Sequence, residues 1–175
     1  MDLTTVITMK IRAQATKDVD MDADPLSTLA HKAGPYSWAD GTGASQANQV
    51  YFDAHSIAGS ATKDYDLAGS LTDVFGDTIT FTSIKAILIE NTDADCILHV
   101  GGGDDGSGSN AFDTWITSDA DDGSEKVILH PGGAMGLVNP AANGYAVTAG
   151  TGDILRITEA SGNAGAFEIT IIGEV

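Results

Sequence analysis

Apolar residues fall in short alternating runs along most of the chain. Over residues 6–13, Ile7, Met9, Ile11 and Ala13 take one side of an extended backbone. Thr8, Lys10 and Arg12 take the other side, a pattern that predicts a half-buried strand. From residue 49 the runs follow closely and predict strands over 50–57, 63–67, 78–81, 84–90, 96–100, 112–117, 126–130, 145–147, 153–158 and 166–172. In the 63–67 run Tyr65 and Leu67 share a face opposite Asp64 and Asp66. The 84–90 run is apolar on both faces apart from Lys85 and Glu90, as a central strand requires. In the last run Phe167, Ile169 and Ile171 point inward, and Glu168 and Thr170 outward. Gly, Asp, Ser and Asn separate the runs, and Ala149-Gly150-Thr151-Gly152 predicts a hairpin between its two neighbours.

Residues 14–48 break the pattern. They run through Asp18, Asp20, Asp22 and Asp24, then Pro25, Gly34-Pro35 and Gly41-Thr42-Gly43. Only residues 25–30 suit a helical turn or two. So long a connection is unusual inside a compact domain and is commonly functional or extended, so it reads as an arm or long loop that orders against a neighbour. The expected fold is therefore all-β: an antiparallel β-sandwich, jelly-roll-like, over residues 49–175. Residues 1–48 supply an N-terminal strand and an extended arm.

Composition adds limits. A chain of 175 residues buries about 70% of its unfolded surface and needs no disulfide or metal to fold. Cys96 is the single cysteine and sits in the apolar run Cys96-Ile97-Leu98, which predicts a small core residue. His99 follows on the opposite strand face, so a reactive thiol is not expected. No apolar stretch reaches the ~18 residues of a membrane-spanning helix. The N-terminus lacks a basic segment followed by an apolar block, so no secretory leader is expected and synthesis in the cytoplasm is.

The charge is the strongest compositional signal. The chain carries 25 acidic against 8 basic side chains, a net −17. Phosphate backbones and anionic membranes attract Lys and Arg, so nucleic acid and membrane surfaces are poor partners. Residues 1–35 carry a net −1 and residues 36–175 a net −16. The N-terminal fifth is therefore the segment least repelled by an acidic partner.

The carboxylates form no recognisable catalytic or metal-binding set. The Asp18–Asp24 alternation departs from a calcium loop, with Ala23 where the sharp turn needs Gly and Leu29 where a bidentate Glu is needed. Gly101-Gly102-Gly103-Asp104-Asp105-Gly106-Ser107-Gly108 has no following Lys, and its two carboxylates would repel a phosphate. Residues 101–125 hold seven acids and no cation. His31, His55, His99 and His130 stand too far apart for a local metal pair. No serine occupies a nucleophile elbow, and aromatic residues, at 6%, are too few for an obvious sugar-stacking groove. No catalytic, cofactor or metal residue is assigned, and the expected protein is not an enzyme. The aromatic patch Tyr36-Ser37-Trp38 suits either local packing or an anchor on a partner.

A series of segments then becomes informative: residues 36–43, 50–53, 65–73, 81–86, Pro131-Gly132-Gly133, residues 147–153 and the closing Ile171-Ile172-Gly173. Over about residues 36–173 this series resembles small structural proteins encoded in the head-gene region of tailed phages and prophages. The resemblance implies a β-sandwich or jelly-roll decoration (cement) protein on the outer capsid surface. It further implies the major capsid protein as partner and a homotrimer as the assembly. No functional residue is carried over, because such proteins work through contact surfaces. A tail, baseplate or receptor-binding sandwich is the alternative, and a second is a hydrolase on a jelly roll, which would need a cleft with converging carboxylates of shifted pKa. On the residues themselves, the expected contacts to shell or neighbour are Ile7, Met9, Lys10, Ile11 and Arg12 of the first strand, with Tyr36 and Trp38.

Overall fold

Alternation gives each strand one apolar face, and that face is removed from water when two sheets pack together. The computed structural model of the chain describes residues 3–16, 26–69, 71–101, 110–116 and 125–175. It is all-β. The strands are β1 (Thr5–Thr16), β2 (Leu26–Trp38), β3 (Gln49–Ile57), β4 (Thr62–Asp66), β5 (Leu71–Thr72), β6 (Thr78–Ile79) and β7 (Ser83–Asn91). They continue as β8 (Leu98–Gly101), β9 (Lys126–Leu129), β10 (Ala134–Val138), β11 (Tyr145–Ala146), β12 (Ile154–Glu159) and β13 (Gly165–Glu174).

Two antiparallel sheets form the body. One has the order β10-β7-β13-β3, with β11 also paired to β7; the other has the order β4-β12-β8-β9. Their inner faces share one core. Phe167, Ile169 and Ile171 of β13 and Ile87 and Ile89 of β7 pack with Tyr65, Leu98, Val100, Leu155 and Ile157 of the opposite sheet. Each of these is buried, and each fully buried large apolar side chain contributes about 1.5–3 kcal/mol. Two further pairs stand apart from the body sheets: the short β5–β6 hairpin and a long ribbon of β1 with β2.

The alternation in β13 is borne out, with Phe167, Ile169 and Ile171 buried and Glu168 exposed. Tyr65 and Leu67 are likewise buried, as is Cys96. The central position of β7 between β10 and β13 also matches its apolar run. Lys85 in that strand is nevertheless fully buried. The register explains it: Ile172 faces Ala86 while Gly173 faces Ile84, so Lys85 is an extra, bulged residue. Its ammonium donates to the carbonyl oxygens of Ala141 (3.1 Å) and Ala142 and lies 3.2 Å from the Glu174 carboxylate. Gly173 beside the bulge has no room for a side chain, since a Cβ there would stand 2.7 Å from the Phe81 ring.

Several expectations are corrected. The helical turn over 25–30 is not formed; residues 26–30 belong to β2, and Pro25 lies outside the described residues. The unperiodic stretch hid this strand because β2 is held by main-chain pairing to β1 and has almost no core face to bury. The expected strand over 112–117 is instead a turn at residues 114–116 behind a single bridge from Ala111 to Ile154, with Thr117 outside the described residues. The expected hairpin across 149–152 is reduced to a turn closed by a single antiparallel bridge from Thr148 to Gly152, because β11 joins β7 and β12 joins β4 and β8. The acidic segments 17–25, 102–109 and 117–124 lie outside the described residues.

Candidate interaction surface

Extended backbone alone lets β1 and β2 pair, and their register decides which side chains share a face. Ile7 faces Tyr36, Met9 faces Ala33, Ile11 faces His31 and Ala13 faces Leu29. Lys10 faces Lys32 and Arg12 faces Ala30 on the other side of the ribbon. A register shift between Ile7 and Met9 places the extra residue at Gly34-Pro35. Gly34 has φ +90°, and a Cβ there would stand 2.9 Å from the Ile7 carbonyl oxygen, so this bend needs glycine.

The base of the ribbon packs on the outer face of the β10-β7-β13-β3 sheet. Trp38, Ala47, Ala86 and Ile172 form a second small core there, joined by Leu3, Ile7, Tyr36, Val50 and Val138. Met9 lies over β10, where a methyl built on Gly136 would stand 3.5 Å from its sulfur. Beyond Met9 the support ends. Residues 10–15 and 27–32 are all exposed, with Ile11 at 70% and Leu29 at 68%.

Of the expected contact residues, Lys10, Ile11, Arg12 and Met9 are exposed on the ribbon, and Ile7 and Tyr36 are half-buried at its base. Trp38 is 1% exposed and is used in the chain's own packing. The first strand is therefore half-buried only near its start. Sequence reasoning missed β2 as the partner of β1, and with it Leu29 and Lys32. The available signal was the lack of any acid between Leu26 and Trp38.

The sheet face next to the ribbon base is also bare. Phe52 of β3 and Leu88 of β7 both stand opposite Thr170 of β13, and each is 51% exposed. One row further, Glu168 faces Glu90, and both are exposed.

Elsewhere the carboxylates serve turns. Glu159 is buried and accepts from the backbone N–H of Ser60 (2.8 Å), Ser161 (2.7 Å) and Gly162 (2.8 Å) and from the Ser161 hydroxyl. Burial pushes its pKa up, but these hydrogen bonds outweigh burial and bring it down to about 2. Asp93 accepts from the N–H groups of Asp95 and Cys96, which hold its carboxyl below the usual range. Asp73 closes the β5–β6 turn through the N–H groups of Phe75 and Asp77. Titratable groups also gather at β3, where Asp53 accepts from the Tyr65 hydroxyl at 2.9 Å and lies 3.8 Å from His55. Burial first and then Asp53 push Tyr51 up to about 12 and raise Tyr65 as well, so both stay neutral phenols. Cys96 is raised by burial, which keeps it a thiol.

Among the described residues no three His, Cys, Asp or Glu side chains gather as a metal would require, and no helix is long and apolar enough to cross a membrane. The arrangement defines a class: an antiparallel all-β body bearing an exposed two-stranded ribbon. Comparison with family models, curated proteins and solved structures yields no match.

Proposed function

We propose that this chain is a structural virion protein, a decoration or cement protein that docks on the outer surface of a phage head and stabilises it through contacts between subunits. The observation that carries this reading is the ribbon, whose outer half holds Ile11 and Leu29 in water with no support from the body. A two-stranded hairpin is only marginally stable alone, and an apolar stripe on it is a contact surface awaiting its partner. The major capsid protein is the proposed partner, and a homotrimer the proposed assembly. The head location in this reading rests on the resemblance of residues 36–173 to head-region phage proteins. The charge of the body suits a protein kept soluble at high copy number outside a packed genome, with neither nucleic acid nor membrane as partner.

The test removes the outer ribbon and leaves its base. Replacing residues 10–32 by a tight turn keeps Leu3, Ile7, Tyr36 and Trp38 on the sheet. The expected result is a retained cooperative thermal unfolding transition together with loss of occupancy on purified heads. Full occupancy by the shortened protein overturns the proposal. Recovery of the intact protein with tails, or glycan binding by it, replaces it with the tail or receptor-binding reading.

A further inference from the structure

A buried lysine and an exposed asparagine meet at one turn. Residues 139–144 lead from β10 into β11. Asn139 braces this turn, accepting from the Ala141 N–H (3.1 Å) and donating from its Nδ2 to the Gly144 carbonyl (2.9 Å). The Gly144 N–H donates to the Ala141 carbonyl (3.1 Å). That same carbonyl accepts from the Lys85 ammonium, as does the carbonyl of Ala142. Lys85 is fully buried, so these two oxygens and the Glu174 carboxylate stand in for water around its charge.

Asn143 lies in this turn, exposed, and among the described residues nothing hydrogen-bonds its carboxamide. The chain has six asparagines; Asn48, Asn91, Asn110, Asn139 and Asn163 precede Gln, Thr, Ala, Pro and Ala, and Asn143 alone precedes glycine. A glycine has no Cβ to shield its nitrogen from the preceding side chain, and its backbone is free to close a ring on it. The fold cannot dispense with this glycine. Gly144 has φ +53°, and a Cβ there would stand 2.5 Å from the Ile84 carbonyl oxygen. The sheet thus imposes glycine directly after an exposed asparagine.

We propose that Asn143 is a site of spontaneous deamidation, and that its conversion loosens the hold on Lys85. Hydroxide takes the Gly144 amide proton, and the nitrogen attacks Cγ of Asn143. A C–N bond forms, and Nδ2 takes a proton from water and leaves as ammonia, which regenerates the hydroxide. The product is a succinimide ring joining the two residues. Water opens the ring at either carbonyl and leaves aspartate or isoaspartate at position 143. The net change is one water consumed and one ammonia released. In isoaspartate the main chain runs through Cγ and is one methylene longer. Attack requires the Gly144 nitrogen to leave the Ala141 oxygen, which the Lys85 ammonium pins in place. The fold therefore slows the reaction. Once complete, the reaction lengthens the turn and draws its carbonyls off the ammonium. This site is independent of the structural role proposed above.

The purified full chain, held for weeks in mildly alkaline buffer, provides the test. Peptide mapping should find a gain of about 1 Da confined to the peptide that holds Asn143. The same chain unfolded in denaturant should convert about tenfold faster or more, because the turn is then open. The converted fraction carries one more negative charge and separates on anion exchange. It should melt about 5 °C below the parent, the shift expected when a buried charge loses one acceptor. Asn143→Ser changes an exposed side chain, so it should fold as the parent does and keep its mass and melting temperature through the same incubation. A folded chain whose Asn143 stays intact while the unfolded chain converts overturns the proposal. So does a gain spread over the other asparagines. Equal rates in the folded and unfolded chain, or a converted fraction that melts with the parent, overturn the link to Lys85.

Discussion

At the residue scale, the acidity of the chain serves folding as well as solubility. Asp73, Asp93 and Glu159 each replace the missing partners of backbone N–H groups in a turn. Glu159 is the sharpest case, since its carboxylate is buried and gathers three N–H groups and a hydroxyl. Its pKa falls from 4.5 to about 2 in the folded chain. A depressed acid contributes stability above its unfolded value and loses it as pH falls through the folded one. Thermal melts of the protein should therefore drop between pH 4.5 and about 2, with Asp93 adding in the same direction. Glu159→Gln should melt lower than the parent at pH 7, and the gap should close across that window. A gap that stays constant with pH would show that the charge of Glu159 does not matter.

At the element scale, the bulge in β7 and the ribbon show two ways for polar groups to leave the alternating pattern. Lys85 is turned inward by an extra residue and is matched by two carbonyl oxygens and Glu174. Removing one member of a buried ion pair costs about 3–5 kcal/mol, because the other charge is left without its partner. Lys85→Ala should destabilise the body by that order in chemical denaturation, and a loss below about 1 kcal/mol would show that water already reaches the site. The ribbon is the opposite arrangement: it holds its strands by main-chain pairing and leaves both faces of its outer half in water. Stability there is local and low, which suits an element completed by a partner.

At the scale of the whole molecule, the closing strand ties distant parts together. β13 pairs with β3 from Gly165↔Ile57 to Gly173↔Gln49 and with β7 on its other side. The sheet cannot close until nearly the whole chain is present, and such non-local pairing makes folding slow. Refolding by stopped-flow should occupy roughly milliseconds to seconds. A sub-millisecond phase carrying the full amplitude would contradict this order of assembly. The charge is divided on the same scale, with a nearly neutral N-terminal fifth and a body of net −16.

Local periodicity was enough to read the body strands other than β10 (Ala134–Val138), which it missed, together with the inward set Phe167, Ile169 and Ile171 and the burial of Cys96, because a side chain two residues along a strand returns to the same face. Tertiary structure alone settled the rest. β2 carries no burial period, because it pairs with β1 and meets the core only at its base. Lys85 is buried through a bulge set by the register of β13, and Tyr145 and Ile154 enter different sheets across a turn that reads as a hairpin. The facing of Lys10 with Lys32 and of Glu90 with Glu168 came to light in the same way, since cross-strand register is a relation between distant segments that no local pattern encodes.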